Sequence, residues 1–140
     1  MRAAFLGTPA AAIPSLAALI DVADIAVVIT RPDRAKGRSG KLSPPAVKVA
    51  ALEWGLPVEQ PAPREQLEQV LEGADADIGV VVAYGRILTR AALETTAAGF
   101  VNVHFSLLPR WRGAAPVERA ILAGDETTGV SLMQLDEGLD

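Results

Sequence analysis

An amide and an imidazole stand two residues apart in the segment Asn102-Val103-His104-Phe105-Ser106-Leu107-Leu108-Pro109. In an extended segment, residues i and i+2 project to the same face. Asn102 and His104 would then offer two hydrogen-bond donors to one oxygen. Such a pair suits acyl transfer, in which a carbonyl oxygen becomes negative as its carbon is attacked. His104 is the only histidine of the chain, and the sequence offers no other side chain that ordinarily titrates near neutrality. The same residues have a plainer reading, as a histidine satisfied by a backbone carbonyl beside an asparagine at a strand end. Ser106 lacks the Gly-x-Ser-x-Gly elbow of a nucleophile and is read as a brace for its loop.

The elements that must position these side chains alternate between strand and helix. Strands are expected over residues 2–6, 25–30, 57–60, 78–83, 100–104 and 128–134, from short apolar and β-branched runs. A helix is expected after the turn Gly7-Thr8-Pro9, to about Asp21, with Ile13, Leu16, Ala17 and Ile20 at helical spacing. A second opens at Pro44 or Pro45, carries Val47, Val49, Ala50 and Trp54, and stops at Gly55. Further helices are expected over Glu65 to Leu71, from a Thr89 cap to Leu93, and over Pro116 to Leu122. Residues 31–43 read as a polar loop. This alternation predicts an α/β fold, an open, mostly parallel, Rossmann-like sheet with helices on both faces. Ligands of such sheets lie beyond the carboxyl ends of the strands. That rule selects the residues after Leu6, Thr30, Ala83 and His104, where GTP, RPDRAKGRSGK, YGRIL and FSLLPRWRG stand.

Asn-x-His-x-Ser-Leu-Leu-Pro resembles the signature of the folate-dependent formyltransferases, a family with members acting on methionyl-tRNA, on glycinamide ribonucleotide and on amino sugars. The resemblance implies a formyltransferase-type fold and a third catalytic residue, an Asp about thirty-six residues beyond the His, which falls on Asp140 within Gly138-Leu139-Asp140. Asn102 and His104 would stabilise the oxyanion, and Asp140 would hold His104 and assist proton transfer through water. The amine would attack directly, with no acyl-enzyme. The cosubstrate implied is 10-formyltetrahydrofolate, placed along Tyr84, Gly85, Arg86, Ile87 and Leu88 and beside Ser106, Leu107, Leu108 and Pro109, with no metal. A buried strand-to-helix turn is the plain reading of residues 84–88. Gly7-Thr8-Pro9 and Pro14-Ser15-Leu16 are also similar to the family's opening. Two positions depart from it: Phe105 stands where Gly or Pro is common, and Ala11 where Phe is common.

Two segments point to the acceptor. Leu108 to Pro116, LLPRWRGAAP with the preceding leucine, resembles the methionyl-tRNA branch of the family. Read from the residues alone, Arg110 and Arg112 beside Trp111 either hold an anion or a base, or are solvated while Trp111 packs on the sheet edge. Arg31 to Lys41 holds five cations and one acid, a local charge of +4. It resembles the basic insertion by which that branch reads its tRNA acceptor stem, and it suits phosphate contacts. Arg34, Lys36, Arg38 and Lys41 are its candidate tRNA-binding residues. A charge run of this kind is also commonly a solvated loop. The resemblance thus implies formyl transfer to the α-amino group of initiator methionyl-tRNA. Rival expectations are a sugar or nucleotide N-formyltransferase, or a noncatalytic binding fragment.

Composition limits the remaining classes. With half its 140 residues apolar and a fifth charged, the chain is an ordinary globular domain. Zero cysteines exclude disulfides, zinc-thiolate sites and a cysteine nucleophile, and suit a reducing cytoplasm. A net charge of −4 argues against a protein that coats nucleic acid over its whole surface. No apolar run reaches the ~18 residues of a membrane span, and Gly7-Thr8-Pro9 interrupts the N-terminal apolar stretch, against a signal peptide. A monomer is expected. DEGLD ends the chain with no closing element. Residues 1–140 are therefore expected to be the partial N-terminal catalytic domain, incomplete at its C-terminal side, without the tRNA-binding β-barrel that the methionyl-tRNA branch adds.

Overall fold

The first strand, β1 (Arg2–Gly7), alternates Ala3 and Phe5 toward one side with Ala4 and Leu6 toward the other, and all four are fully buried. A strand with two dry faces must lie inside a sheet covered on both. The computed structural model, which describes residues 1–36 and 40–137, shows that arrangement. β2 (Asp24–Ile29), β5 (Val58–Glu59), β6 (Ile78–Val82), β7 (Phe100–His104) and β8 (Ser131–Gln134) join β1 in the order β5-β2-β1-β6-β7-β8. All pairings are parallel except β7 with β8. This is the mostly parallel α/β sheet expected from the sequence.

One face packs Phe5, Val28 and Val82 against α1 (Ile13–Ile20) and α2 (Ala46–Glu53), with Leu16, Val47 and Ala51 as the buried contacts. The other packs Leu6, Ile29 and Phe100 against α3 (Arg64–Ala74) and α4 (Arg90–Leu93), through Leu67, Leu71 and Ala92. Local chemistry starts these helices. Pro14 lies in the first turn of α1, and Thr89 Oγ1 accepts the Ala92 amide at 3.1 Å to cap α4. The last helix, α5 (Pro116–Leu122), again opens on proline. Gly79 on β6 has no room for a Cβ, which would stand 2.0 Å from the Phe100 ring. The start of β7 is therefore set by ring-on-backbone packing.

Several expectations shift. Val49 and Trp54 point outward from α2, and its buried side is Val47, Ala50 and Ala51. α3 runs one turn past Leu71, to Ala74. β8 begins at Ser131 rather than Thr128. The segment expected to be a polar loop contains an antiparallel hairpin of β3 (Arg34–Lys36) and β4 (Lys41–Ser43), separate from the main sheet. Each strand is three residues long with a single apolar side chain, Ala35 or Leu42, too short a run for alternation to announce it.

The chain runs outward through β1, β2 and β5, then returns to β6 and continues through β7 and β8. The strand order reverses between β1 and β6, the position at which doubly wound sheets open a crevice.

Candidate active site

β7 carries Phe100 into one core and Val103 into the other. Asn102 and His104 therefore share the Phe100 side, and both line a cleft of about 550 Å³ beyond the ends of β6 and β7. Asn102 is half-buried, in register with Val81 on β6 and Met133 on β8. His104 is only 5% exposed. The two donors thus face one cleft from two rungs of a paired strand. Asp140 and residues 138–139 lie outside the described residues.

Hydrogen bonds fix the His104 ring at both nitrogens. Nδ1 lies 2.9 Å from Ser106 Oγ, and Ser106 Oγ donates to the Arg110 carbonyl at 2.6 Å. With its one proton committed there, the hydroxyl accepts from His104, which assigns a proton to Nδ1. Nε2 faces the Gly113 carbonyl at 3.2 Å, a partner for an Nε2–H. Ser131 adds a further tie, donating to the Ser106 carbonyl at 2.8 Å and accepting the Leu108 amide at 3.0 Å.

The opposite wall is the turn after β6. Tyr84, Gly85, Arg86, Ile87 and Leu88 all line the cleft. Ile87 is 69% exposed at its mouth, whereas Leu88 and Tyr84 are buried beneath. The turn is tied to its neighbours through backbone carbonyls: Thr8 Oγ1 donates to Tyr84 O at 3.0 Å, and Arg31 Nη1 to Gly85 O at 3.0 Å. Arg86 reaches back to the carbonyls of Pro61, at 2.9 Å, and Ala62. Burial pushes the Tyr84 hydroxyl up from its ordinary value, an effect that the nearby Arg86 and Arg31 cations oppose. Ser106, Leu107, Leu108 and Pro109 do not reach the cleft wall. Ser106 sits fully buried under His104, and half-exposed Leu107 lies against Gly129.

Arg34 and Lys41 are exposed on the β3–β4 hairpin, and Lys36 pairs with Lys41 across it. Arg38 and the Lys36 side chain lie outside the described residues. The hairpin's root is clasped by a cluster that the sequence does not suggest. Lys48 Nζ donates to both Asp33 oxygens, at 2.8 and 2.9 Å, and to Gln60 Oε1 at 2.6 Å. Gln60 Nε2 in turn donates to Arg31 O and Asp33 Oδ1. The Lys48 hydrogen bond, with help from Gln60, holds the Asp33 carboxyl below its ordinary value.

For Trp111 the structure shows neither a stacking platform with unpaired arginines nor plain packing. Its indole Nε1 donates to Asp125 at 2.6 Å, and the Arg110 guanidinium, 4.7 Å from the ring, is bidentate to the same carboxylate. Asp125 and the Gly113 carbonyl are site groups that the sequence alone does not single out. Its one available signal is Gly124-Asp125 directly after a helix. Among the described residues no cluster of three or more acidic or histidine side chains is placed to hold a metal, and no helix is long and apolar enough to cross a membrane.

Known proteins resemble the chain in sequence and in fold. A methionyl-tRNA formyltransferase of Sorangium cellulosum is 53% identical over 142 residues, covering 100% of this chain and 46% of that protein. Its counterpart in Halorhodospira halophila is 56% identical over 142 residues, covering 99% and 46%. The chain spans about half the length of the curated relatives it matches. The crystal structure of phosphoribosylglycinamide formyltransferase from Bacillus halodurans superposes with a TM-score of 0.78 at 23% identity, over 100% of this chain and 74% of that one. A family model described as formyl transferase matches residues 1–140. With its full length inside that match, the chain belongs to the formyl transferase family.

Proposed function

We propose that this chain is the N-terminal catalytic part of a methionyl-tRNA formyltransferase. Its reaction moves the formyl group of 10-formyltetrahydrofolate to the α-amino group of initiator methionyl-tRNA, for translation initiation in the cytoplasm. The observation that carries the reading is the placement of Asn102 and His104 on one face of β7, across a single cleft from the 84–88 turn. A flat pterin fits that turn, with backbone groups for its polar edge and Ile87 and Leu88 for its face.

The amine nitrogen attacks the formyl carbon, forming a C–N bond and driving the carbonyl electrons onto oxygen. Asn102 Nδ2 donates to that oxyanion, and so does His104 through an Nε2–H that exchanges the Gly113 carbonyl for the substrate oxygen. Its collapse breaks the bond to the folate nitrogen, which receives the proton lost by the amine. Asp140, 36 residues past His104, is assigned to that transfer through water. Ser106 holds the ring and takes no covalent part. The acceptor assignment draws on the relatives more than 50% identical that bear the name methionyl-tRNA formyltransferase, and on the exposed basic hairpin. The protein is assigned as a monomer.

A formyl-transfer assay with methionyl-tRNA and with amino-sugar acceptors tests both levels. Asn102→Ala and His104→Ala are expected to lower kcat on the order of 100- to 1,000-fold while KM changes little. Combined Arg34→Ala, Lys36→Ala and Arg38→Ala should abolish transfer to tRNA. Full tRNA activity in that triple variant would remove the tRNA assignment and leave the formyl-transfer chemistry standing.

A further inference from the structure

The loop between β7 and α5 adopts a conformation that its own residues disfavour. Trp111 and Ala115 have positive φ, 59° and 56°, flanking Gly113 at 82°. Non-glycine residues persist in that region only where their surroundings over-determine them, and such strain clusters at functional sites. The surroundings here converge on Asp125, just past the end of α5. Its carboxylate accepts from Arg110 Nε at 2.8 Å, Arg110 Nη2 at 2.5 Å and Trp111 Nε1 at 2.6 Å. That side chain is 11% exposed, so little solvent competes for these charge-assisted bonds. Arg119 supports the same turn, donating to the Arg112 carbonyl at 2.8 Å with its guanidinium 5.4 Å from the Trp111 ring.

Both ends of the gripped turn reach the histidine, one through Ser106 and one directly. Upstream, the Arg110 carbonyl takes the Ser106 proton and so orients the hydroxyl that meets His104 Nδ1. Downstream, the Gly113 carbonyl meets Nε2. We propose that Asp125 is a positioning residue for His104: by gripping Arg110 and Trp111 it holds the strained 110–115 turn, whose two carbonyls set the plane and direction of the imidazole. The kinetic consequence rests on the formyl-transfer reading of the cleft. The geometric one does not.

The test uses the single histidine as its own probe. In 15N-labelled protein, Asp125→Asn and Trp111→Phe are expected to shift the His104 ring-nitrogen resonances, and Asp125→Glu to return them toward wild type. In the transfer assay kcat should fall about 10- to 100-fold, as for a displaced catalytic group, with folate KM nearly unchanged. Trp111→Phe keeps an aromatic ring and loses the Nε1–H, so it carries the test if Asp125→Asn does not fold. Folded variants with wild-type ring resonances and kcat, even at lowered thermal stability, would overturn the proposal. If the wild-type protein formylates no amine while the resonances still move, the functional reading fails and the positioning role stands.

Discussion

The Thr8 hydroxyl donates to the Tyr84 carbonyl at 3.0 Å, bridging the exits of β1 and β6 where the strand order reverses. This bond ties the 84–88 wall of the cleft to the sheet's central strand. Thr8→Val keeps the shape and removes the donor, so the Tyr84 carbonyl loses this partner. We expect a loss of about 1 kcal/mol in urea unfolding, weaker binding of a reduced folate by titration, and recovery of both in Thr8→Ser. Unchanged folate affinity in Thr8→Val would show that the wall stands without this tie.

Gly79 leads to a prediction about the other wall. A methyl group there would overlap the Phe100 ring, at 2.0 and 2.1 Å from its nearest atoms, and Phe100 is fully buried at the head of β7. Relieving the clash requires the ring or the strand to move, and overpacking of this kind costs about 1–3 kcal/mol. Gly79→Ala should therefore lower the unfolding midpoint and shift the Asn102 and His104 signals in the amide NMR spectrum. A stable variant with native spectra would mean that β6 and β7 separate without strain.

How far the sequence discloses the structure depends on where the controlling forces lie. The bounds of β7 and α5 are legible because an apolar run and a helix-opening proline act within a few residues. The shared face of Asn102 and His104 follows from strand geometry alone. The β3–β4 hairpin reads as loop because three-residue strands with one apolar side chain each, Ala35 and Leu42, are too short to show a period. Ser106 to Pro109 stand beside His104 in sequence, yet Ser106 meets the ring at Nδ1 and none of the four lines the cleft. Asp125 and Gln60 are invisible because their partners lie 14–15 and 12–29 residues away. Only the folded chain brings those groups together.

Two carboxylates with lowered values contribute to the protein's response to acid. The Lys48 hydrogen bond, aided by Gln60, lowers the Asp33 value, and hydrogen bonds from Arg110 and then Trp111 lower that of Asp125, each from an ordinary 3.8. A carboxylate with a lowered folded pKa contributes stability that is fully present above the unfolded value and is lost as pH falls through the folded one. Stability should thus hold from neutrality to about pH 4 as far as these groups are concerned, and decline below it. Asp33→Asn and Asp125→Asn are each expected to lower stability at pH 7 and flatten that acid limb in urea midpoints measured against pH. Parallel wild-type and variant limbs would show that the two pairings have no energetic weight.

The clasp at the hairpin root allows the hairpin's charge and its position to be tested separately. Lys48 and Gln60 hold the Asp33 carboxylate, and Gln60 the Arg31 carbonyl, in the segment from which β3 and its Arg34 depart. If the hairpin binds phosphates, removing a cation means that fewer counterions are released on binding. Arg34→Ala or Lys41→Ala should then reduce the slope of log affinity against log salt by roughly 0.7–0.9 for each phosphate that is no longer neutralised. Gln60→Ala removes no charge and breaks two ties to the root. It should weaken acceptor-stem binding at every salt concentration with the slope unchanged, because the cations remain but are held less firmly against the RNA. Binding by filter retention across a salt series distinguishes these effects. Equal slopes for wild type and both charge variants would show that the hairpin does not touch phosphate. Wild-type affinity for Gln60→Ala would show that its direction is set by something other than the clasp.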